Sequence, residues 1–344
     1  MNNDIDITDI RTTKDFVSNG LTFSMYKKTK VIQELLQSLI NNKIENSLYW
    51  SSELICSSYF TELWETIILY LSKYIHIGNP KLPIYIEKRF NQFKTIVNTH
   101  YLDNEIDMRN NHTIRKIFSE IIIILCLSKN KNKYQQVNIN YIEDFDYSSL
   151  TLKLKSPNTE YAKSIIKPND PQEIHIFINE FCFHISEHYK NSSMAFYWIE
   201  WFLVYDKLCK SNKNDCLCAN RDFIKVQDKY KNDIIWIIWD AIFQECKKRN
   251  NIILFKILNS LLTIYSIKFT SINKKKRRYV LYFAVSLLTD PIDYSIEIND
   301  KNNKEKIDII INKINLIYKD IKKNQITDEN FDTYINNIKN IKSS

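Results

Sequence analysis

Glycine is nearly missing from this chain, with 2 among 344 residues, and proline occurs only 6 times. Folds rich in strands, and enzymes built on glycine-rich phosphate loops, need many more for tight turns and close backbone approach, so this scarcity points to helices. Long apolar runs are missing too. The most apolar windows, Ile121 to Leu127 and Ile234 to Ile242, fall well short of a membrane span, and no apolar stretch follows a basic region near the start. The expectation is therefore an intracellular chain that neither enters a membrane nor is secreted. There is no Walker loop, dinucleotide fingerprint, nucleophile elbow, kinase signature or repeated acidic metal motif. A non-enzymatic protein is expected, with no catalytic residue, no cofactor and no metal.

What is present is isoleucine, asparagine and lysine in excess over alanine, glycine and arginine. That bias looks like an AT-rich coding genome, so β-branched isoleucine is discounted here as a strand signal. The seven cysteines (Cys56, Cys126, Cys182, Cys209, Cys216, Cys218, Cys246) are scattered, mostly in apolar runs, as small buried hydrophobes in a reducing compartment would be. The net charge of +8 leans towards polyanions without demanding one.

Residues 1–25 are polar and aperiodic, and read as a flexible arm. An N-terminal helical half over 26–128 follows. In it Val31, Ile32, Leu35, Leu36, Leu39 and Ile40 recur at helical steps, and a later helix stops at Gly78-Asn79-Pro80, where glycine would supply the left-handed residue. Residues 129–170 are polar, with Pro157 and Pro168 and an alternating Leu150, Leu152, Leu154, and read as a linker or long loop with one extended piece. Asp170-Pro171-Gln172-Glu173 predicts a helix start. The C-terminal half, 171–344, holds further helices, including Pro171 to Lys190, Asn273 to Thr289 and two tail helices. The fold class expected is all-α: stacked helix pairs of a HEAT-like or α-solenoid kind, or a multi-helix bundle.

Lys274, Lys275, Lys276, Arg277 and Arg278, placed ahead of the apolar run Tyr279 to Leu288, predict a nucleic-acid-binding surface. Five cations in a first turn oppose the helix dipole, and with the free amides of that turn they would hold phosphate. A solvated lysine run is the alternative. His184 and His188 stand four apart with Glu187 between them, and Cys209, Cys216 and Cys218 could join them in a structural zinc site. The spacing matches no standard finger or ribbon, so buried thiols and ordinary histidines are expected instead. Trp236 and Trp239 read as core. Tyr49, Trp50 and Trp64 read as core or as a partner-binding stripe. Glu53 and Asp240 sit in apolar contexts and call for a buried arginine or tyrosine partner.

Two resemblances follow from particular segments. Ile32 to Arg89, containing Asn46-Ser47-Leu48-Tyr49-Trp50 and Ser72-Lys73-Tyr74-Ile75-His76-Ile77-Gly78-Asn79-Pro80, resembles the helical C-terminal region of the clamp-loader-like replication and recombination ATPases. The ATPase portion is absent, and Lys73-Tyr74 stand where that family carries an acidic pair. This resemblance implies a DNA replication or repair accessory. Over nearly the whole chain, with Tyr49 to Cys56, Lys231 to Asp240 and Lys275 to Thr289 as its clearest parts, the sequence is similar to uncharacterised proteins of nucleocytoplasmic large DNA viruses of amoebae. That implies a protein of the viral factory in host cytoplasm. The reading that joins these observations is a viral scaffold or adaptor that assembles viral or host proteins of nucleic-acid processing on RNA or DNA. One form of it is a translation-initiation-like scaffold recruiting an RNA helicase. A virion or factory structural protein is the alternative from another class.

Overall fold

The computed structural model describes residues 5–101, 104–212, 216–299 and 301–343. Among them the chain is all-α, with sixteen α-helices and no strand. In chain order these are α1 (Thr13–Asn19), α2 (Lys28–Ile40), α3 (Ile44–Cys56), α4 (Phe60–Tyr70), α5 (Leu82–His100), α6 (His112–Leu127), α7 (Tyr147–Thr151), α8 (His175–Ile185), α9 (Ser192–Ser211), α10 (Ile235–Lys248), α11 (Ile252–Ser266), α12 (Ser271–Lys276), α13 (Arg278–Thr289), α14 (Lys301–Asn312), α15 (Ile314–Lys322) and α16 (Phe331–Ser343). No helix among the described residues is long and apolar enough to cross a membrane.

Asparagine, abundant by composition, does local work as a helix cap. Asn111, Asn191 and Asn251 each turn a side-chain oxygen onto free amides of the first turn, of α6, α9 and α11 respectively.

The chain forms two compact units. The first comprises Met1–Leu71, Lys88–Asn130 and Glu297–Ser344. Its centre is α3, packed against α2, α4, α6 and α15. Ser47, Ser51 and Ser52 on its buried face are small enough for close helix approach, and Cys126 of α6 comes within 3.4 Å of the Ser47 hydroxyl. Phe60, Trp64, Phe93 and Phe118 form an aromatic cluster beside it.

The second unit comprises Ser72–Glu87 and Lys131–Ile296. Here α10 and α13 are the inner helices, each packed against α8, α9 and α11. Trp236 and Trp239 of α10 are fully buried, and both contact the Tyr265 ring.

Several sequence readings are corrected. The segment expected to be a flexible arm is folded wherever it is described: Ile7, Phe16, Leu21 and Phe23 are buried, and Thr12 and Asp15 form a capping box that starts α1. Four closely spaced apolar side chains supply burial that the polar average of the segment conceals. The tail helices, expected in the C-terminal half, belong to the first unit. Of the two readings of the 129–170 stretch, the long loop holds and the separate linker does not: it carries little beyond a 3-10 turn at Glu143–Phe145 and α7, and from Lys131 onward it is part of the second unit. Its alternating leucines form no strand, because Asp146 caps the short helix α7 through Ser149 N. At the 78–80 stop the left-handed residue is His76 (φ 33°), after α4 has loosened into a π-helical turn at Leu71–Ile75. The helix expected at Pro171 opens as a 3-10 turn, Gln172–Ile174, that runs into α8 at His175, and the Asp170 carboxylate binds Arg221 instead of capping it.

Candidate functional site

The outer side of α3 carries Tyr49 and Trp50, only half-buried, stacked edge to face with ring centroids 5.0 Å apart, and Tyr26 meets Trp50 at 5.4 Å. Facing them are the ends of α14 and α15, which meet at Lys313. Between these walls lies a groove of about 650 Å³, lined on one side by Ile44, Leu48, Tyr49 and Trp50 and on the other by Ile309, Ile310, Leu316 and Ile317. Ile309 and Leu316 are 56% and 65% exposed, a high exposure for aliphatic residues of an otherwise amphipathic tail. Glu45 stands on the α3 wall and Lys313 on the tail wall.

The tail wall is held by unusual polar contacts. The Arg115 guanidinium lies 3.9 Å from the Tyr318 ring centroid and donates to the carbonyls of Ile5 and Arg109 and to Asn110 Oδ1. Asn110 in turn pairs with the backbone of Ile7 in both directions. Arg11, with its side chain 2% exposed, pairs with Asp9, donates to the Phe23 and Asn324 carbonyls, and lies over the rings of Phe16, Phe23 and Tyr334. Ile10 N donates to Ile326 O, and Ile326 N to Asp9 Oδ2. Residues 5–11 thus strap the tail to the body of the first unit.

Behind the groove sits Glu53, one turn along α3 from Tyr49 and fully buried. It accepts from Ser24 N (2.6 Å) and Ser24 Oγ (2.9 Å), and Ser24 Oγ also accepts from Asn324 Nδ2. Burial pushes the Glu53 carboxyl up from its ordinary value, against the pull of the Ser24 bonds. Burial, with Glu53 beside it, also raises the Tyr49 phenol, so Tyr49 meets a ligand as a neutral ring with a hydroxyl.

The cationic run expected to face solvent is largely internal. Lys274 is completely buried, with Nζ 2.8 Å from Asp206 and 2.8 Å from both oxygens of Asp233. Arg277 is buried and donates to the carbonyls of Tyr265 and Ile267. Arg278 pairs with Glu200, which also accepts from Tyr282. Against the upward pull of burial, Lys274 and Lys210 hold the Asp206 carboxyl below its usual range. The physical reason for the correction is a break. The helix expected over 273–289 is interrupted at Arg277, between α12 and α13, and Lys274, Arg277 and Arg278 turn inward while Lys275 and Lys276 turn outward.

His184 and His188 do not share a helical face, because α8 ends at Ile185. His184 pairs with Glu180 at 3.4 Å, while His188 is exposed. Between Cys209 and Cys216, residues 213–215 lie outside the described residues. Among the described residues no group of three or more His, Cys, Asp or Glu is placed to hold a metal ion. Asp240 meets Arg221, which also binds Asp170 through both oxygens, whereas Glu53 has Ser24 as its partner.

Sequence reasoning left Tyr49, Trp50 and Trp64 as core or as a partner-binding stripe; Trp64 is buried, whereas Tyr49 and Trp50 are only half-buried. The facing wall comes from the tail, and its one local signal was Ile309 and Leu316 standing off the buried stripe of their helices. No protein-family model matches the chain, and neither a curated protein nor a solved structure is similar to it.

Proposed function

We propose that this chain is a non-enzymatic helical adaptor whose groove in the first unit holds an amphipathic helix of a partner protein. The observation that carries this reading is the groove itself: a tyrosine-tryptophan pair faces exposed Ile309 and Leu316 across about 650 Å³. Rigid aromatic side chains give large contact area at low entropic cost, and a groove between helices is read by apolar side chains at positions i, i+3 or i+4, and i+7 of a bound helix. Glu45 on one lip and Lys313 on the other favour a partner helix with a base on one flank and an acid on the other, which sets its direction.

No pair of groups at the groove has the geometry of a nucleophile and its base. Glu53, the perturbed acid nearest to it, is spent on Ser24. The test is selection from a displayed library of helical peptides against the purified chain. Enriched peptides should carry the i, i+3/i+4, i+7 apolar pattern, and their binding should fall at least tenfold in Leu316→Glu and Trp50→Ala, which keep the wild-type melting curve. Enrichment of peptides that bind those variants as well as wild type, or no enrichment, would remove the reading.

A further inference from the structure

The second unit carries a different surface, independent of the groove. The loop before α7 exposes Tyr141 (47%), and Lys207 of α9 reaches it: Nζ donates to the Tyr141 hydroxyl at 3.1 Å and lies 5.4 Å from the ring centroid. Lys275 borders the same place. Burial, with the like charges of Lys207 and Lys274, pushes its ammonium below the usual lysine range, against the pull of Asp206. The cations around it are neutralised. Lys274 and Lys210 pair with Asp206 and Asp233, and Arg278 with Glu200. Lys207, Lys275 and Lys276 form no ion pair among the described residues, so their charge is available to a ligand. Next to Tyr141 in the chain, the Phe145 ring stacks on Trp201 and Tyr205 of α9 (5.1 Å and 6.4 Å, interplanar angles 20° and 9°), which stiffens the loop that presents Tyr141.

We infer that Tyr141, flanked by Lys207 and Lys275, is a stacking platform for single-stranded nucleic acid, the ring taking a base and the ammonium groups the adjoining phosphates. An exposed ring bordered by unpaired cations is what sequence-tolerant single-strand binding requires, since every base has a π-face and every phosphate a charge. An anionic membrane would use the exposed Ile142 and Leu152 as well, but the lysine beside Leu152, Lys153, is already held by Asp144. Of the loop's acids, Asp144 is bound by Lys153 and Tyr197 and Asp146 caps α7. Glu143 alone is exposed without such a role, and it works against a phosphate.

The test is fluorescence anisotropy with labelled oligouridylate, oligothymidylate and duplex DNA, each about 20 nucleotides long, with heparin and phosphatidylserine vesicles as anions that lack bases. The wild-type chain should bind the single strands more tightly than duplex. Tyr141→Ala should weaken single-strand binding roughly 5-fold or more without changing heparin binding, and Tyr141→Phe should retain it. Lys207→Gln with Lys275→Gln should lower the slope of log affinity against log salt by about 1 to 1.5, and Glu143→Gln should tighten binding. The tighter of the two single strands names the polymer. The inference is overturned if no single strand binds at about 50 mM salt, if duplex or vesicles bind more tightly, or if Tyr141→Ala is silent in a protein with an unchanged melting curve.

Discussion

The two units bury charge in different ways. In the first, Arg115 is satisfied by backbone carbonyls, Asn110 and the Tyr318 ring, and Arg11 by both oxygens of Asp9 together with the Phe23 and Asn324 carbonyls and aromatic rings. In the second, carboxylates dominate: Arg221 meets Asp170 and Asp240, Lys274 meets Asp206 and Asp233, and Arg278 meets Glu200, while Arg277 also donates to the Tyr265 and Ile267 carbonyls. The difference teaches what each set is for. Guanidinium groups bound to carbonyls fasten chain segments to each other, here the 5–11 strap and the tail that forms one groove wall. Carboxylate pairs join α9 to α12 and α13 and tie the loops at Asp170, Arg221 and Asp233 to the helices, and they remove from the surface a charge that the sequence seemed to put there.

The sharpest way to break the comparison is to delete one cation from each unit. Arg221→Met leaves Asp170 and Asp240 buried without their partner and should cost about 3–5 kcal/mol at neutral pH. Part of that loss should return near pH 4 in chemical denaturation, because an orphaned carboxylate can take up a proton.

Next in size is a pH effect confined to the second unit. Burial pushes the His76 imidazole down to about 4, and it is stacked on Tyr134 with Nε2 bonded to the Asn132 carbonyl. Between pH 6.5 and about 4 the unfolded chain binds a proton that the folded one refuses, so stability is intact above 6.5 and is lost as pH falls through that window, by at most ~3 kcal/mol. His76→Asn accepts the left-handed backbone and should flatten this slope in unfolding titrations at pH 4.5 and 7.

Arg115→Met in the first unit should cost less, about 1–3 kcal/mol, since carbonyls rather than charges are left unpaired. No acid rescue is expected, and amide exchange over 314–321 should quicken as the tail loosens. The smallest effect should come from Lys276→Met, within about 0.5 kcal/mol by thermal melting, against a loss of about 3–5 kcal/mol for Lys274→Met two residues away. Equal effects from that pair would contradict the inward placement of the run.

Periodicity made helices legible: the stripe from Val31 to Ile40 marks α2 to within a few residues. The capping box at Thr12 and Asp15 was missed, because the polar average of residues 1–25 hid it. What no local pattern reports is partnership at long range. Lys274 and Lys276 read alike in sequence, and only Asp233, 41 residues upstream of Lys274, and Asp206, farther still, tell them apart. Ile10 and Arg11 gave no sign that they bind Ile326 and Asn324, so the return of the tail to α3, and with it the groove, was beyond a reading of neighbours. Tyr49 and Trp50 were noticed for their type, and their orientation depended on that missing wall.

The adaptor reading is tested most directly by fluorine NMR on protein labelled with 5-fluorotryptophan. Of its 6 tryptophans, Trp50 borders the groove, whereas Trp64, Trp198, Trp201, Trp236 and Trp239 are buried. Adding a selected helical peptide should shift the Trp50 resonance, assigned through Trp50→Phe, and leave the other five in place. A Trp50 signal that stays still while the peptide binds would put the partner elsewhere and contradict the account.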